Sequence, residues 1–167
     1  MYYLIKTFDC EVFNLNSNDL KIIKQLMQQA RTSWAELGTL LGLSAPAAAE
    51  RVRKLEDSGI IKGYSAIVNP EAIGCGLAAL IAVTIEQTEH KKEFLNRVID
   101  LPEILECHHI AGAEDYILKI RCGGTRDLEW LISEKIKSLP GIKTRTTVIL
   151  STIKETPVLP IKIAEEQ

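Results

Sequence analysis

The stretch that decides the fold lies at residues 33–59 and reads SWAELGTLLGLSAPAAAERVRKLEDSG. Ser33, with Glu36 three residues later, forms a capping box that predicts the start of a helix. Gly42 predicts the end of that helix, and Ser44 is a suitable N-cap for the next one. Only about three residues then separate the two helices. Such a tight connection is the signature of a helix-turn-helix.

The second of these helices has clear boundaries and a clear inner face. Pro46 fits its first turn, where the missing N–H has no partner to lose. Ala48, Val52 and Leu55 lie three or four residues apart and are expected to face inward. Gly59 is expected to end the helix in a left-handed conformation. The charged positions between the apolar ones are therefore predicted to face outward.

An amphipathic segment precedes this pair of helices. Apolar side chains recur three and four residues apart after a polar cluster at residues 16–19, which predicts a further helix; they are Leu20, Ile23, Leu26, Met27 and Ala30. After the three helices, residues 60–68 alternate and end at Asn69-Pro70. This alternation predicts an extended, strand-like linker.

The remainder alternates between strands and helices. Residues 78–86, 104–111, 116–122 and 144–153 read as strands, and residues 90–101 and 128–139 read as helices. The order β-α-β-β-α-β is that of a ferredoxin-like sheet with both helices on one face. The predicted fold class is α+β, with an N-terminal winged-helix-like helix-turn-helix domain and a C-terminal ferredoxin-like domain.

The pattern predicts five segments. Residues 1–14 form an N-terminal extension, residues 15–62 a helix-turn-helix DNA-binding domain, and residues 63–76 a strand linker. Residues 77–161 form the ferredoxin-like domain, and residues 162–167 form a tail.

Charge is distributed unevenly along the chain. The formal net charge is −2 and the sequence pI is near 6.0, which argues against a wholly basic nucleic-acid binder. Residues 15–64 nevertheless carry seven Lys and Arg against five Asp and Glu, a net charge of +2, whereas residues 65–167 carry twelve against fifteen, a net charge of −3. The basic charge is thus concentrated in the front third, as expected of an electrostatic footprint on DNA.

Several classes of protein are disfavoured. No apolar run approaches the ~18–20 residues of a membrane span, and the opening segment makes a poor secretion or transit peptide, so a cytoplasmic location is expected. The four cysteines lie far apart without a C-x-x-C pair, which predicts no metal site. No catalytic constellation is visible. We therefore expect no enzyme activity, no catalytic residues and no cofactor.

Taken together, the motifs resemble those of the Lrp/AsnC, or feast/famine, family of transcriptional regulators. The resemblance rests on LGLS at residues 41–44, ERVRKLE at 50–56 and SGIIKGY at 58–64, followed by ECH at 106–108, G-x-x-D-Y at 112–116, LPG at 139–141 and TRT at 144–146. It implies a protein that binds double-stranded DNA and forms homodimers, often assembled into octamers. It also implies that the ferredoxin-like domain, residues 77–161, is responsible for oligomerisation and for binding an amino-acid effector.

The predicted DNA-binding residues lie on and around the helix at residues 45–57. Arg51, Arg53 and Lys54 either contact phosphates and bases or form a solvated helix face with neighbouring acids. The predicted set is Ser44, Ala45, Ala47, Ala48, Glu50, Arg51, Arg53, Lys54 and Lys62. Because the front of the helix is mostly alanine, we expect a loose sequence preference that leans on DNA shape.

The resemblance also implies an effector site around the loop at residues 112–116 and the last strand. A zwitterionic ligand needs donors for its carboxylate and an acceptor for its ammonium, and Glu114 or Asp115 supplies the acceptor. The predicted set is His109, Gly112, Ala113, Glu114, Asp115, Tyr116, Thr146 and Thr147. The two threonines are equally explained as strand formers. His108 and His109 are neighbours on a strand and should point to opposite faces.

Two alternatives stay open at this point. Sirohaem decarboxylases share the two-domain layout and use histidines near the region of His108 and His109. An architectural protein that coats DNA without a ligand response also fits the front third.

Overall fold

The computed structural model describes residues 15–163. The predicted N-terminal extension, residues 1–14, and residues 164–167 of the predicted tail lie outside the described residues. The described chain divides into two compact units. Residues 15–67 and 154–163 make up the front unit, and residues 68–153 make up the rear unit. Each unit has its own hydrophobic core.

The front unit contains three helices: α1 (Ser17–Gln28), α2 (Trp34–Leu41) and α3 (Ala45–Asp57). The predicted capping box at α2 is confirmed, because the Glu36 amide donates to Ser33 Oγ over 3.3 Å and the Ser33 amide donates to Glu36 Oε2 over 2.7 Å. The predicted stop is also confirmed, since Gly42 has a φ of 66°. The buried core comprises Ile22, Leu26, Leu37, Ala48, Val52 and Leu55.

A close approach holds α2 and α3 at the turn. A Cβ added at Gly38 would lie 2.7 Å from the Leu43 carbonyl oxygen. This distance is shorter than a van der Waals contact, so the turn can pack against α2 only where a side chain is absent. The sharp bend predicted between the two helices is therefore built from Gly38 as well as from the left-handed Gly42.

The predicted strand at residues 60–68 is not formed in the described chain. Gly59 adopts a φ of 73° as predicted, and the Ile61 amide donates to the Leu55 carbonyl at 2.9 Å. Ile60 and Ile61 then pack against the core of the front unit. Their apolar side chains thus complete the end of α3 instead of starting a sheet.

The rear unit has four strands: β1 (Leu77–Ile85), β2 (Ile104–His109), β3 (Tyr116–Cys122) and β4 (Ile142–Ile149). Neighbouring strands are antiparallel, in the order β2-β3-β1-β4. A 3₁₀ turn (Thr88–His90) leads into α4 (Lys91–Asp100), and α5 (Thr125–Trp130) continues as a π-helix (Leu131–Ile136). The predicted ferredoxin-like fold is confirmed.

Both helical segments of the rear unit pack on one face of the sheet. Phe94 and Val98 from α4 and Leu131 and Ile136 from the π-helix share a buried core with strand residues such as Ile81. The π-helical stretch was not predicted, since the sequence indicated a regular helix over residues 128–139. Among residues 15–163, no helix has the length and apolar character needed to cross a bilayer.

Candidate DNA-binding surface and effector site

Helix α3 turns a charged face away from the core of the front unit. Its exposed side chains are Pro46, Glu50, Arg53, Lys54 and Asp57, opposite the buried apolar ones. Arg53 Nη1 lies 3.5 Å from Glu50 Oε2, and these side chains are 69% and 57% exposed. An ion pair this exposed contributes less than about 1 kcal/mol. Breaking this ion pair therefore costs little free energy, and each side chain is available to another partner.

Arg51 lies on the flank of α3 and is already committed to α1. Its Nη1 donates to Asp19 Oδ1 at 3.0 Å, and the two side chains are 34% and 15% exposed. The other carboxylate oxygen of Asp19 accepts from the Asn16 amide at the start of α1. Arg51 thus ties α3 to α1, with only part of its guanidinium open to solvent beside a groove of about 490 Å³ between the two helices.

The small residues at the start of α3 differ in their accessibility. Ser44 is an exposed N-cap whose Oγ accepts from the Ala47 amide at 3.4 Å. Ala45 and Ala47 are half-buried, whereas Ala48 is completely buried against α1 and α2. We therefore remove Ala48 from the predicted set of DNA contacts, because its methyl group belongs to the core.

Lys62 is exposed in the segment that follows α3. In the same segment the Tyr64 hydroxyl donates to Glu56 Oε1 at 2.9 Å. This bond holds the segment after α3 close to the last turn of the helix.

In the rear unit, Asp115 anchors the loop between β2 and β3. Its amide donates to the Val83 carbonyl at 2.9 Å, and its Oδ2 accepts from the Ile85 amide at 2.7 Å. The Asp115 carbonyl also accepts from the Ile110 amide at 2.9 Å. Two of these bonds fix the loop to the end of β1, and the third closes the loop on itself. One oxygen of the carboxylate predicted to bind a ligand already has a structural partner.

Glu114 and Arg145 form an ion pair at the same end of the sheet. Arg145 Nε donates to Glu114 Oε1 at 3.0 Å, and Arg145 Nη2 also contacts this oxygen. Arg145 is largely exposed on β4. A cation and an anion therefore stand side by side next to the loop, and the cation was absent from the predicted set.

Gly112 and Ala113 form the exposed tip of this loop. A Cβ at Gly112 would meet only the Ile110 side chain, at 3.7 Å, which is an ordinary van der Waals contact. Its φ is not in the left-handed region. The rear unit by itself therefore places no steric or conformational demand for glycine at this position.

The two adjacent histidines point to opposite faces of the sheet, as predicted. His109 stacks on Tyr116 with ring centroids 4.9 Å apart, and Tyr116 lies against Phe94 at 5.4 Å. His108 instead approaches Glu106 on the other face, with Nε2 3.0 Å from Oε2. This hydrogen bond from His108 is the main cause that lowers the pKa of Glu106. Because Tyr116 is buried, a ligand on the helix-covered side can reach His109 but not the tyrosine ring.

Thr146 and Thr147 do not share a face. Thr146 is paired with Ile81, which points into the core, whereas Thr147 is paired with Leu80 on the uncovered face. Side chains of residues paired across antiparallel strands lie on the same side of the sheet. The two hydroxyls therefore cannot line a single pocket on one face.

Asp19 and Arg145 are the polar residues that the sequence reasoning missed. The spacing of Asn16 and Asp19 is that of a capping box, a signal that could have identified Asp19 as a helix cap. Its partner Arg51 is 32 residues away, and no local pattern connects them. Arg145 belongs to the Thr-Arg-Thr motif at residues 144–146 that supports the family resemblance, but nothing in the sequence around it indicates its contact with Glu114.

An accessible helix-turn-helix joined to an antiparallel α+β domain defines a two-part class of DNA-binding regulators. Residues 15–62 match the model for a winged helix-turn-helix DNA-binding domain, and residues 78–159 match that for an Lrp/AsnC ligand-binding domain. The chain belongs to the Lrp/AsnC family of transcriptional regulators.

The relatives agree with this assignment over most of the chain. The proline dehydrogenase transcriptional activator of Rhizobium radiobacter is 37% identical and is matched over 87% of this chain and 95% of its own. The regulator LrpA of Mycobacterium tuberculosis is 36% identical, over 83% and 91%. The crystal structure of a transcriptional regulator of Neisseria meningitidis in complex with L-methionine has a TM-score of 0.82 and 30% identity, and covers 87% of this chain and 96% of its own. These comparisons support a regulator and give no support to the decarboxylase alternative.

Proposed function

We propose that α3 binds the major groove of double-stranded DNA, and that an amino acid bound at the β2–β3 loop changes the assembly or the DNA affinity of the protein. The observation that carries this proposal is the exposed charged face of α3 in a helix-turn-helix whose bend is fixed by Gly38 and Gly42. In helix-turn-helix proteins the second helix of the motif enters the major groove.

The proposed DNA contacts are divided by chemistry. Arg53 and Lys54 are the principal phosphate ligands, because they are exposed and at most loosely paired. Arg51 contributes through the open part of its guanidinium. The remaining proposed contacts are Ser44, Ala45, Ala47, Glu50 and Lys62. Small side chains at the front of α3 allow its backbone to approach the DNA closely but offer few hydrogen bonds, which favours a loose sequence preference.

The proposed effector is a free amino acid. The regulator of Neisseria meningitidis was crystallised with L-methionine, and the loop in this chain has the charges that a zwitterion requires. Arg145 offers a cation to a carboxylate, while Glu114 and the second oxygen of Asp115 offer acceptors to an ammonium group. Gly112 allows the ligand to approach the loop backbone, and nothing inside the rear unit requires a glycine there.

The other proposed contacts of the effector are Ala113 in the loop and Thr147, which lies on the same face of the sheet as Arg145. His109 lies on the opposite, helix-covered face, and its exposed ring would meet a ligand that extends around the end of the sheet. Tyr116 takes part indirectly, by holding His109 in position.

We further propose that the protein acts as a homodimer or a larger assembly of dimers. The sheet face left uncovered by the helices mixes apolar side chains with basic ones. The apolar ones are Ala78, Leu80, Ala82, Ile117 and Ile149, and the basic ones paired beside them are Lys119, Arg121 and Arg145. A second copy can cover this face in a two-fold arrangement. Each copy in such a dimer supplies one α3, and we propose that the two helices bind successive major grooves. The proposed function needs no cofactor and no catalytic residue, and we propose a cytoplasmic location for it.

The experiment is fluorescence anisotropy with a labelled duplex drawn from the gene's own upstream region, at several salt concentrations. We expect the affinity of the wild-type protein to fall steeply with salt, because phosphate contacts release counterions. Arg53→Ala should reduce the slope of log K against log salt by about one. Lys135→Ala, in the rear unit, is the matched control and should leave the slope unchanged. Binding that is insensitive to salt would refute the DNA-binding role.

The effector part is tested by repeating the titration with each of the twenty amino acids, alongside native mass spectrometry. At least one amino acid should change the affinity or the assembly, and Gly112→Val should abolish that response without lowering the melting temperature. If no amino acid changes either quantity, the protein coats DNA without a ligand response and this part of the proposal is wrong.

A further inference from the structure

Among the first six residues of α3, residues 45–50, Glu50 is the one whose side chain can form hydrogen bonds with a base; Arg51, which follows it, is turned to the flank of the helix and paired with Asp19. Residues 45–49 are four alanines and a proline, and Glu50 follows them. The Glu50 side chain is 57% exposed and lies on the outward face of the helix. In helix-turn-helix proteins the N-terminal residues of this helix contact base edges. If a side chain of residues 45–50 forms a hydrogen bond with a base edge, that side chain is therefore Glu50.

A carboxylate restricts the bases that can be read. It only accepts hydrogen bonds, and the donors in the major groove are the amino groups of cytosine and adenine. Adenine presents the acceptor N7 beside its amino group, and this acceptor repels the second carboxylate oxygen. Guanine and thymine present acceptors at the corresponding edge. Cytosine is the base that suits a carboxylate best.

We propose that Glu50 is a specificity-determining residue that selects a cytosine in each half-site through the cytosine N4 amino group. This inference rests on the proposed DNA-binding role of α3 and assigns a base to one of its residues. The flanking alanines contribute by their small size, because they let a side chain of this length reach the floor of the groove.

Electrostatics make such a contact feasible near the phosphates. Arg53 lies one turn further along the helix and 3.5 Å from the Glu50 carboxylate. Lys54 is exposed on the same face. These cations offset the repulsion between Glu50 and the DNA backbone, and the loose pair leaves a carboxylate lone pair available to the base.

The test is selection of binding sites from a random duplex pool by the wild-type protein, Glu50→Gln and Glu50→Ala, followed by anisotropy on selected duplexes. The wild-type protein should select a cytosine at one fixed position per half-site. Replacing this C·G pair should weaken binding roughly 10-fold. Glu50→Ala should lose this discrimination, and Glu50→Gln should shift the preference to adenine, since an amide can pair with both N6 and N7.

Asp57→Asn is the matched control, because it removes the same charge from an exposed position at the end of α3. It should raise affinity for all duplexes by a similar factor and leave the base preference intact. Thermal unfolding of each variant should match the wild type, as both positions are on the surface.

The failures are distinguishable. Wild-type protein that binds DNA in a salt-dependent way, but whose base preference is unchanged in Glu50→Ala, overturns the role of Glu50 alone. Selection of guanine or thymine at the position that Glu50→Ala relaxes also overturns it. Absence of salt-dependent binding by the wild type refutes the proposed function itself, and with it this inference.

Discussion

Replacing Asp115 by alanine should destabilise the rear unit by about 2 kcal/mol. In the native structure Asp115 Oδ2 accepts the Ile85 amide at 2.7 Å, and this bond fixes the β2–β3 loop to the end of β1. A hydrogen bond to a charged group contributes ~1.5–3 kcal/mol, and its loss leaves a half-buried amide without this acceptor. Equilibrium unfolding in urea measures the change as a lower transition midpoint at an unchanged slope.

Asp115→Asn separates the structural role from the proposed ligand role. The amide oxygen can still accept from Ile85, so the free energy of unfolding should fall by less than half as much as in Asp115→Ala. The negative charge is absent, so the response to an amino acid should be weakened if this carboxylate holds an ammonium group. Equal stability of Asp115→Ala and the wild type would refute the anchoring argument, and a full ligand response in Asp115→Asn would refute the ligand contact.

Three further perturbations test the front unit. A double-mutant cycle of Asp19→Asn and Arg51→Ala should give a coupling of about 1 kcal/mol in urea unfolding, since the pair is partly shielded from solvent; zero coupling would show that it does not tie the helices. Gly38→Ala should lower the free energy of unfolding by about 1–3 kcal/mol, because its Cβ would stand 2.7 Å from a backbone oxygen of the turn; an unchanged midpoint contradicts this. Desolvation, followed by the Glu56 carboxylate, raises the pKa of Tyr64 from 10.0 to about 12. The neutral phenol of Tyr64 therefore stabilises the folded state fully below pH 10, and this stabilisation is lost as pH rises toward 12. In Tyr64→Phe the free energy of unfolding should fall less over this range. Identical dependence of stability on pH in the variant and the wild type would contradict the prediction.

The sequence predicted the helix boundaries well because they depend on local bonds. The capping box from Ser33 to Glu36 and the left-handed Gly42 each involve residues within one turn, so their chemistry is visible in a short window. The βαββαβ order was equally accessible, since alternation and helical spacing mark each element. The segment at residues 60–68 was misjudged because two isoleucines that pack against the end of α3 produce the same pattern as a short strand.

The candidate site was only partly predictable. Residue types could be assigned to α3 and to the β2–β3 loop, but their partners lie far away in sequence. Arg51 meets an acid 32 residues earlier, and Glu114 meets Arg145 after 31 residues. Such pairs depend on the packing of whole elements. A single sequence therefore does not show that a side chain predicted to bind DNA or an effector already has an ion-pair partner within its own unit.

The outward face of α3 carries Glu50 and Asp57 as well as Arg53 and Lys54, so its formal charges cancel. Long-range steering toward a polyanion is correspondingly weak, and a single helix should leave DNA quickly. Occupancy of a promoter then depends on how many helix-turn-helix domains are joined in one assembly, because each domain that binds raises the effective concentration of the next one. A signal that changes the number of joined subunits would therefore change the DNA affinity of the assembly, while the contacts between each α3 and its groove stay the same.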